Sequence, residues 1–497
     1  MVAAAPAVKE PSGHAVTMAE FVGMMVQSDE LIRAQQLEER IAVQGVRGAE
    51  AIFEPVVTVS AEREGTHVLN SAADSLQRGL RAGDVYDAVE SRAKVGLASK
   101  IPTGATAEVM YQVSEVRNSL QPLANSVSPE YKGYLGLNFS QPLMRGMGLD
   151  ATRVGIDIAT IEQDIAKQSV RQVMTQRLME GLNSYIAVQR LQERVRMRIR
   201  LLDVTKGIER EMAALRAAGL QSAAELTKAR SAVAMRKAQL SEAQEDLEEQ
   251  LKLMQSFVSA ANREKKGPVV ASRLVPAEGL SAPSGSFAKA ASDSDRAVDL
   301  AQVIERRPEA RVNALRIDLG ERKVAAALDQ TLPDLSFNLR AGKDELSGRN
   351  KPLQYLSDEF DYHSWAVGVT FKMGLFGDEK KESEYEAERL RKEQAELTMG
   401  AVQQRIANEV SSSSNLFERA MQRVQRQQEM VTAQRDLLGV MRNLFTEGNR
   451  SGLDVLKQEV ELLLVEESYV DAVAHAIRAS YLVSQVDGSL LSRLGLE

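Results

Sequence analysis

Long stretches of the chain carry apolar residues at the spacing of helices that pack side by side. In residues 222–260 these positions fall seven apart, at Leu226, Val233, Leu240, Leu247 and Met254. The stretches 380–446 and 452–493 carry apolar residues at alternating steps of three and four, interrupted in the second by Glu467. The spacing predicts long helices in a coiled-coil array, although the core of an ordinary helical bundle has the same periodicity.

Shorter segments alternate between apolar and polar residues, which is the period of a β-strand. Residues 131–140 place Tyr, Gly, Leu, Leu and Phe on one face and Lys, Tyr, Gly, Asn and Ser on the other. Residues 335–341 and 365–372 alternate in the same way. Such segments of about ten residues are typical of outer-membrane barrel strands. A soluble sheet covered by helices would give the same pattern.

The predicted elements occur twice in the same order. In the first copy, residues 17–261, a helix, strands and two long helices are predicted at 17–51, within 55–141, at 152–217 and at 222–260. In the second copy, residues 296–497, they are predicted at 296–329, 333–373, 380–446 and 452–493. Residues 1–16 are predicted to be a flexible N-terminus. Residues 262–295, rich in Gly, Pro, Ser and Ala, are predicted to be a linker.

A short motif lies between the two long helices of each copy. It consists of a glycine, a serine three residues later and an acid three residues after that, at Gly219, Ser222 and Glu225 and at Gly448, Ser451 and Asp454. Glycine suits a helix C-terminus, and serine with an acid at this distance forms a capping box that begins the next helix. The motif predicts one helix–turn–helix tip in each copy.

The strand region of the first copy is the longer one, at residues 55–142 against 333–374 in the second. The additional sequence contains a candidate hairpin with strands at about 92–99 and 105–117, joined by residues 101–104. We therefore predict four strands in the first copy and two in the second. So few strands cannot close a wide barrel alone, and closure would need strands from several protomers.

Aromatic residues are scarce in the chain, with 11 Phe, 10 Tyr and one Trp, but they are concentrated near the strands. The candidates for aromatic girdles at a membrane interface are Tyr131, Tyr134, Tyr362, Trp365, Phe371 and Phe376. A hydrophobic core between a sheet and helices is the alternative interpretation.

Composition excludes several classes of function. The absence of cysteine excludes disulfides, thiolate metal sites and a cysteine nucleophile. A net charge of −7 argues against a basic nucleic-acid binder. Residues 146–151 fit G-x-G-x-x-A, but the preceding strand is half polar and the following helix is too long for a dinucleotide-binding unit. We therefore predict no enzyme activity, no cofactor and no metal.

No uncharged apolar run reaches the 18 residues of a membrane-spanning helix. The first residues also lack the apolar segment of a signal peptide, so the sequence is compatible with a cytosolic protein or with a signal that has been removed. We expect removal, because the strand pattern favours an exported protein.

Taken in order, these residues resemble the TolC-like outer-membrane efflux proteins over about residues 17–495. The resemblance rests on the turns that lead from strand to helix, at Gln141, Pro142, Leu143, Gly146, Gly374 and Gly377. It also rests on Pro55 and Pro333 before the first strand of each copy and on residues 448–456 at the last tip.

The resemblance implies an α+β membrane protein with two internal structural repeats. Three identical chains would share one β-barrel in the outer membrane of a Gram-negative bacterium, and a long α-helical coiled-coil barrel would continue it into the periplasm. The simplest family pattern has four strands per protomer. The additional hairpin departs from that pattern, which leaves 12 strands per trimer, or 18 if the hairpin joins.

The implied function is that of a passive exit duct. Substrates would come from an inner-membrane transporter of the ABC or RND type through a periplasmic adaptor, in tripartite efflux or type I secretion. The alternative is a periplasmic coiled-coil adaptor or scaffold without a membrane barrel. That protein would have the helices and tips but no lipid-facing band on its strands.

The resemblance also assigns roles to the tips and turns. The expected adaptor-docking residues are those of the two tip motifs together with Arg450. The expected residues of the periplasmic aperture are Asp436, Arg442 and Glu447, and the expected barrel-to-helix turns contain Pro142, Gly146, Gly374 and Gly377. The basic run from Arg190 to Arg210 is either a solvated helix face, an adaptor contact or an ion-pair latch with acids such as Asp436 and Glu447.

Overall fold

The structure is a computed structural model that describes residues 14–79, 81, 83–121, 127–220, 222–258, 274–282, 300–347, 362–374, 377–447 and 449–496. The chain divides into two compact units. The sheet unit comprises Ile41–Asp164 and Leu315–Glu396. The helical unit comprises Met1–Arg40, Ile165–Ala314 and Leu397–Glu497. Each unit therefore combines residues from both halves of the sequence.

The strands within the described residues are β1 (His14–Val16), β2 (Val56–Leu69), β3 (Val85–Lys100), β4 (Thr106–Asn118), β5 (Glu130–Pro142), β6 (Leu274–Pro276), β7 (Asp334–Ser347) and β8 (Tyr362–Lys372). Six of them form one antiparallel sheet in the order β2-β3-β4-β5-β7-β8. The hairpin predicted around residues 101–104 is present as β3 and β4. Four strands of this sheet precede α4 in the chain and two follow residue 333, as predicted.

The helices within the described residues are α1 (Met18–Ser28), α2 (Glu30–Glu50), α3 (Ala72–Arg78), α4 (Gly148–Ala217), α5 (Ala223–Ser256), α6 (Leu300–Arg306), α7 (Pro308–Thr331), α8 (Glu379–Thr446), α9 (Gly452–Val486) and α10 (Leu490–Arg493). A short 3-10 helix at Ala51–Phe53 follows α2. The longest are α4 with 70 residues and α8 with 68. At 1.5 Å per residue α4 is about 105 Å long.

Three of the predicted helices are interrupted. The helix predicted at 17–51 breaks at Asp29, whose extended backbone ends α1 and whose carboxylate accepts hydrogen bonds from the N–H groups of Leu31 and Ile32 at 3.0 and 3.1 Å. The second, predicted at 296–329, is divided before Pro308, the first residue of α7, a position where the missing N–H costs nothing. The last, predicted at 452–493, breaks at Gly488, which has a φ of 77°.

Parts of the predicted N-terminal tail and linker are ordered strands. β1 pairs in parallel with β6, with Val16 opposite Pro276. The carbonyl oxygen of Val16 accepts a hydrogen bond from the Tyr185 hydroxyl at 2.9 Å, and the Gln189 side chain donates to the carbonyl of Glu278 at 2.8 Å. Residues 14–16 and 274–278 are therefore fixed against α4, in contrast to the expectation for both segments.

The main core of the helical unit is formed where α1 and α5 pack on the middle of α4. Phe21, Met25, Leu182 and Tyr185 have no exposed surface. Gly181 of α4 faces this contact, and a Cβ there would collide with the Met25 side chain. Burial also raises the pKa of the Tyr185 hydroxyl. Replacement of Gly181 or of one of these large side chains would therefore disturb the packing of α1 against α4.

α9 contacts α4 on one side and α8 on the other. Phe417, Val424, Val473 and Ala476 are buried between α8 and α9. Towards the ends of these helices, Leu453 of α9 packs against the buried side chains that join α4 to α5. In α5, three of the residues spaced seven apart, Leu226, Leu247 and Met254, are buried in clusters that also contain α4 residues.

Candidate functional site

One face of the six-stranded sheet carries an apolar band that crosses all six strands. The strand register places one residue from each strand in a single row across that face: Val57, Leu97, Val109, Leu137, Ala341 and Trp365. We call these six residues the apolar row. Val57 is 64% exposed and Trp365 is 74% exposed, so the row is open to the surroundings at both edges of the sheet. Side chains of this size and exposure form a surface suited to an apolar medium.

The opposite face carries polar side chains that hydrogen-bond across the strands. The Lys94 ammonium lies 3.0 Å from the Glu108 carboxylate, which also accepts from the Asn138 amide at 3.1 Å. On the neighbouring strands, the Ser140 hydroxyl lies 2.8 Å from the Asn338 side-chain oxygen, and the Asn338 amide donates to Thr370 at 3.0 Å. This face is suited to water, and its polar groups stabilise one another in the plane of the sheet.

The aromatic candidates are divided between the two faces. Trp365, Phe371 and Tyr131 share the parity of the apolar row, whereas Tyr134 and Tyr362 share the parity of the polar face. The Tyr134 ring lies over Gly136 and Gly342, where an added Cβ would collide with it. Tyr134 and Tyr362 therefore lie on the face opposite to Tyr131 and Trp365, because residues three apart on a strand point to opposite faces. A membrane-interface role for these aromatic residues stays a prediction. Phe376 lies outside the described residues.

The turn from β5 to α4 connects distant segments of the sheet unit. The Gly146 N–H donates to both carboxylate oxygens of Asp329, at 2.9 and 3.0 Å, and Gly146 has a φ of 76°. The Gly148 N–H donates to the carbonyl of Thr103 in the β3–β4 turn at 3.1 Å. The close approach of the two turns requires glycine at position 104, because a Cβ on Gly104 would collide with the Gly146 carbonyl oxygen and lie 3.1 Å from the Pro142 ring.

The turn from β8 to α8 is simpler. Gly377 has a φ of 81°, and a Cβ at Gly374 would lie 2.8 Å from the Gly377 carbonyl oxygen. Beyond it, the Asp378 carboxylate binds the Lys381 ammonium at 2.7 Å, which lowers the pKa of that carboxyl. All four candidate turn residues thus lie at the ends of sheet strands or in the turns that follow them.

The two helix tips are capped differently. At the start of α9, Ser451 accepts from the Asp454 N–H at 3.3 Å and its own N–H donates to the Asp454 carboxylate at 3.4 Å, which is a complete capping box. At the start of α5, Ser222 accepts from the Glu225 N–H at 3.3 Å, but the Glu225 carboxylate binds Lys228 at 2.8 Å. Gly219 has a φ of 76° after α4, and Gly448 lies outside the described residues.

The candidate aperture residues do not form one cluster of ion pairs. Arg442 lies 3.9 Å from Glu459 of α9, and Glu447 accepts from the Asn449 amide at 3.4 Å. Asp436 and Arg450 have no ion pair within the part of the chain that the structure describes. A cavity of about 560 Å³ beside α8 is lined by Arg200, Asp203, Arg435, Arg442, Glu459 and Glu466, among other residues.

The basic run of α4 is paired with acids of α9. Arg194 and Arg198 lie 3.1 and 2.9 Å from the Glu467 carboxylate, and Arg190 lies 3.2 Å from Asp471. Within the described residues these three arginines pair with acids of α9 and not with Asp436 or Glu447. α9 is nearer because it packs directly against α4.

Sequence reasoning missed two polar partners in the helical unit. Glu467 interrupts the apolar spacing of α9, and that interruption was the signal for a buried partner; its side chain is only 13% exposed. Asp29 gave no such signal. Its carboxylate is 2% exposed and binds the Arg177 guanidinium at 2.8 and 3.1 Å. These hydrogen bonds contribute to the raised pKa of Arg177 despite its burial.

None of the helices described is long and apolar enough to cross a membrane. No group of three or more histidines and acids in the described ranges is arranged to hold a metal ion.

Comparison with known proteins gives one family and several similar structures. Residues 300–489 match the family model for outer membrane efflux proteins. The fold is similar to the outer-membrane channel OprN, with 15% identity, a TM-score of 0.64 and coverage of 95% of this chain and 90% of that one. It is also similar to VceC of Vibrio cholerae, with 17% identity, a TM-score of 0.63 and coverage of 97% of each chain. The CmeC channel of Campylobacter jejuni is similar with 12% identity, a TM-score of 0.63 and coverage of 98% of this chain and 91% of that one. No curated protein sequence matches the chain.

Proposed function

We propose that this chain, which belongs to the TolC-like outer-membrane efflux protein family, forms a passive exit duct in the outer membrane of a Gram-negative bacterium. Three copies would combine their strands into one barrel, and their long helices would continue the duct into the periplasm. An inner-membrane transporter of the ABC or RND type would deliver substrates through a periplasmic adaptor.

The observation that carries the proposal is the exposed apolar row. A water-soluble protein rarely exposes so large a continuous apolar surface unless something covers it. Outer-membrane strands alternate between lipid-facing apolar residues and lumen-facing polar residues. The strands of this sheet alternate in the same way, with the apolar row on one face and hydrogen-bonded polar side chains on the other. Six strands with two open edges also fit a barrel that is closed only by further copies.

The polar contacts among the helices support an aperture that moves without nucleotide chemistry. Glu466 of α9 binds Arg435 of α8 at 2.6 Å, whereas Glu467 binds Arg194 and Arg198 of α4. Neighbouring acids on α9 therefore bind the helices on its two sides. Exchange of these ion pairs provides a route by which a partner at the tips could shift α8 and α9 relative to α4.

Membrane fractionation tests the proposal directly. We expect the protein in the outer-membrane fraction, as a trimer that persists in mild detergent. Export of a transported substrate should fall when the chain is deleted and return when it is restored. Recovery in the soluble periplasmic fraction without trimers would reject the duct and favour the adaptor or scaffold interpretation.

Charge reversal at the second tip tests adaptor docking. Arg450 is exposed and unpaired within the described residues, so Arg450→Glu should weaken capture of the adaptor while trimers remain intact. The matched control is Arg426→Glu, at an exposed position about 30 Å back along α8. Normal transport and adaptor capture by the Arg450 variant would contradict docking at this residue.

Neutralisation of Asp436 tests the aperture. If Asp436 lines the closed end of the duct, Asp436→Ala should change single-channel conductance and reduce cation selectivity, because an acidic group at a constriction attracts cations. Unchanged conductance and selectivity in planar bilayers would exclude Asp436 from the aperture.

A further inference from the structure

The additional strands are an integral part of the sheet. All 14 residues of β2 are paired with β3, from Val56 opposite Ala98 to Leu69 opposite Val85. β3 in turn pairs with β4 from Lys100 to Ala88. β2 and β3 therefore extend the β4-β5-β7-β8 part of the sheet by two full-length strands.

The apolar face also continues without a break onto these strands. The apolar row includes Val57 of β2 and Leu97 of β3. The next row on the same face consists of Val59, Val95, Tyr111 and Leu135, followed by Lys343 and His363 on β7 and β8. Val59 is 72% exposed, comparable with Trp365 at the other edge of the sheet. A hairpin that lay in water beside a narrower barrel would have no reason to keep this face apolar.

The direction of the strands determines which edges can meet. Neighbouring strands alternate in direction throughout the sheet. Because the number of strands is even, β2 and β8 run in opposite directions. The free edge of β8 in one copy can therefore pair antiparallel with the free edge of β2 in a second copy, and the alternation continues across the joint.

We propose that the β2 edge of each chain binds the β8 edge of a second copy, so that all six strands of each chain enter the barrel. This inference rests on the trimeric duct proposed above. Three copies with six strands each form a barrel of 18 strands. Because the diameter of a barrel grows roughly linearly with strand number, its lumen is about 1.5 times as wide as that of a trimer with four strands per chain.

Thiol accessibility tests the placement of β2. The chain contains no cysteine, so every introduced thiol is the only one present. We would prepare Val57→Cys and Val59→Cys on the apolar face and Thr58→Cys and Ser60→Cys on the polar face. Matched variants on β8 are Val367→Cys and Val369→Cys against Ala366→Cys and Thr370→Cys. Trimers in outer-membrane vesicles would be treated with a charged, water-soluble maleimide.

We expect labelling at the polar positions to be at least tenfold faster than at the apolar positions, on β2 as on β8. Alternation on β8 with uniform labelling on β2 would overturn the inference and leave the proposed duct intact. Uniform labelling on both strands, or failure to form trimers, would instead count against the duct itself.

Disulfide cross-linking tests the joint between copies. Val59→Cys would be combined in turn with Val367→Cys, Val369→Cys and Phe371→Cys, because the register between copies is the unknown. At least one pair should give covalent trimers on non-reducing gels. The contrasting pair joins Val109→Cys of β4 to Val367→Cys. Covalent trimers from this pair alone would mean that β4 is the edge strand and that the barrel has four strands per chain.

Discussion

The two units of the chain place their apolar residues in opposite ways. In the sheet unit Val59 and Trp365 are 72% and 74% exposed, and the polar side chains hydrogen-bond to one another on the other face. In the helical unit Phe21 and Tyr185 have no exposed surface, and the ion pair between Asp29 and Arg177 lies largely inside. The difference indicates that the two units are adapted to different surroundings, although they belong to one chain with an ordinary hydrophobic content.

The largest effect should come from the buried charge of the helical unit. Asp29→Ala removes the cap of α2 and leaves the Arg177 guanidinium without its main partner. We expect the free energy of unfolding to fall by about 3–5 kcal/mol. Chemical denaturation followed by circular dichroism at 222 nm would measure this change. The control is Glu180→Ala, which removes a partner of Arg177 that is 42% exposed and should cost less than about 1 kcal/mol. Equal effects would mean that the buried position of Asp29 is unimportant.

A charge on the exposed apolar face should be the next most damaging change. Val367→Arg would place a guanidinium where the proposed duct meets lipid, at a cost of about 2–4 kcal/mol. Ala366→Arg is the matched control, because the neighbouring residue lies on the polar face. Folding into lipid vesicles, measured as the urea midpoint, should fall for the first variant and change little for the second. A larger fall in the urea midpoint for Ala366→Arg than for Val367→Arg would mean that the other face of the sheet contacts lipid.

A smaller effect is expected where polar groups lie between helices. Glu467→Gln retains a hydrogen-bond acceptor but removes the charge between Arg194 and Arg198. We expect a loss of about 1–2 kcal/mol in stability. The control is Glu193→Gln, whose partner Arg196 is 57% exposed and lies on the same helix. High salt should only slightly reduce the difference in stability between the unchanged protein and the Glu467→Gln variant, since the Glu467 carboxylate is largely shielded from water.

The smallest effect should distinguish the two tips. Ser451→Ala removes a complete capping box, and Ser222→Ala removes a single hydrogen bond. We expect losses of about 1 kcal/mol at Ser451 and less at Ser222. Hydrogen exchange of the first-turn amides would show this as faster exchange at the start of α9 than at the start of α5. Identical changes at both tips would mean that the reciprocal bond to Asp454 adds nothing.

Local patterns predicted much of the sheet and the tips. Strict alternation located β5, β7 and β8, and the tip motif located the capping serines Ser222 and Ser451. Both signals depend on residues close together in sequence. Parity also separates Tyr131 from Tyr134, since an odd spacing on a strand always changes face, so their placement on opposite faces could be predicted from the sequence.

Other features depend on partners that no local pattern contains. The break at Asp29 lies inside a helical pattern that continues on both sides, and Arg177 is 148 residues away. The acids that bind the basic run could not be identified for the same reason. Which neighbour an arginine meets depends on the packing of α4 against α9, and helical periodicity does not specify that packing.

The pairing of β5 with β7 also governs the order in which the chain can fold. Ser140 lies opposite Asn338, a separation of 198 residues, whereas β2, β3, β4 and β5 each pair with a strand that is next to them in the sequence. Closure of so long a loop is slow, and an unpaired strand edge is prone to aggregation until its partner strand is in place. During folding β5 therefore remains an open edge until β7, which begins at Asp334, is brought alongside it. A chaperone that covers this edge would have its greatest effect in that interval.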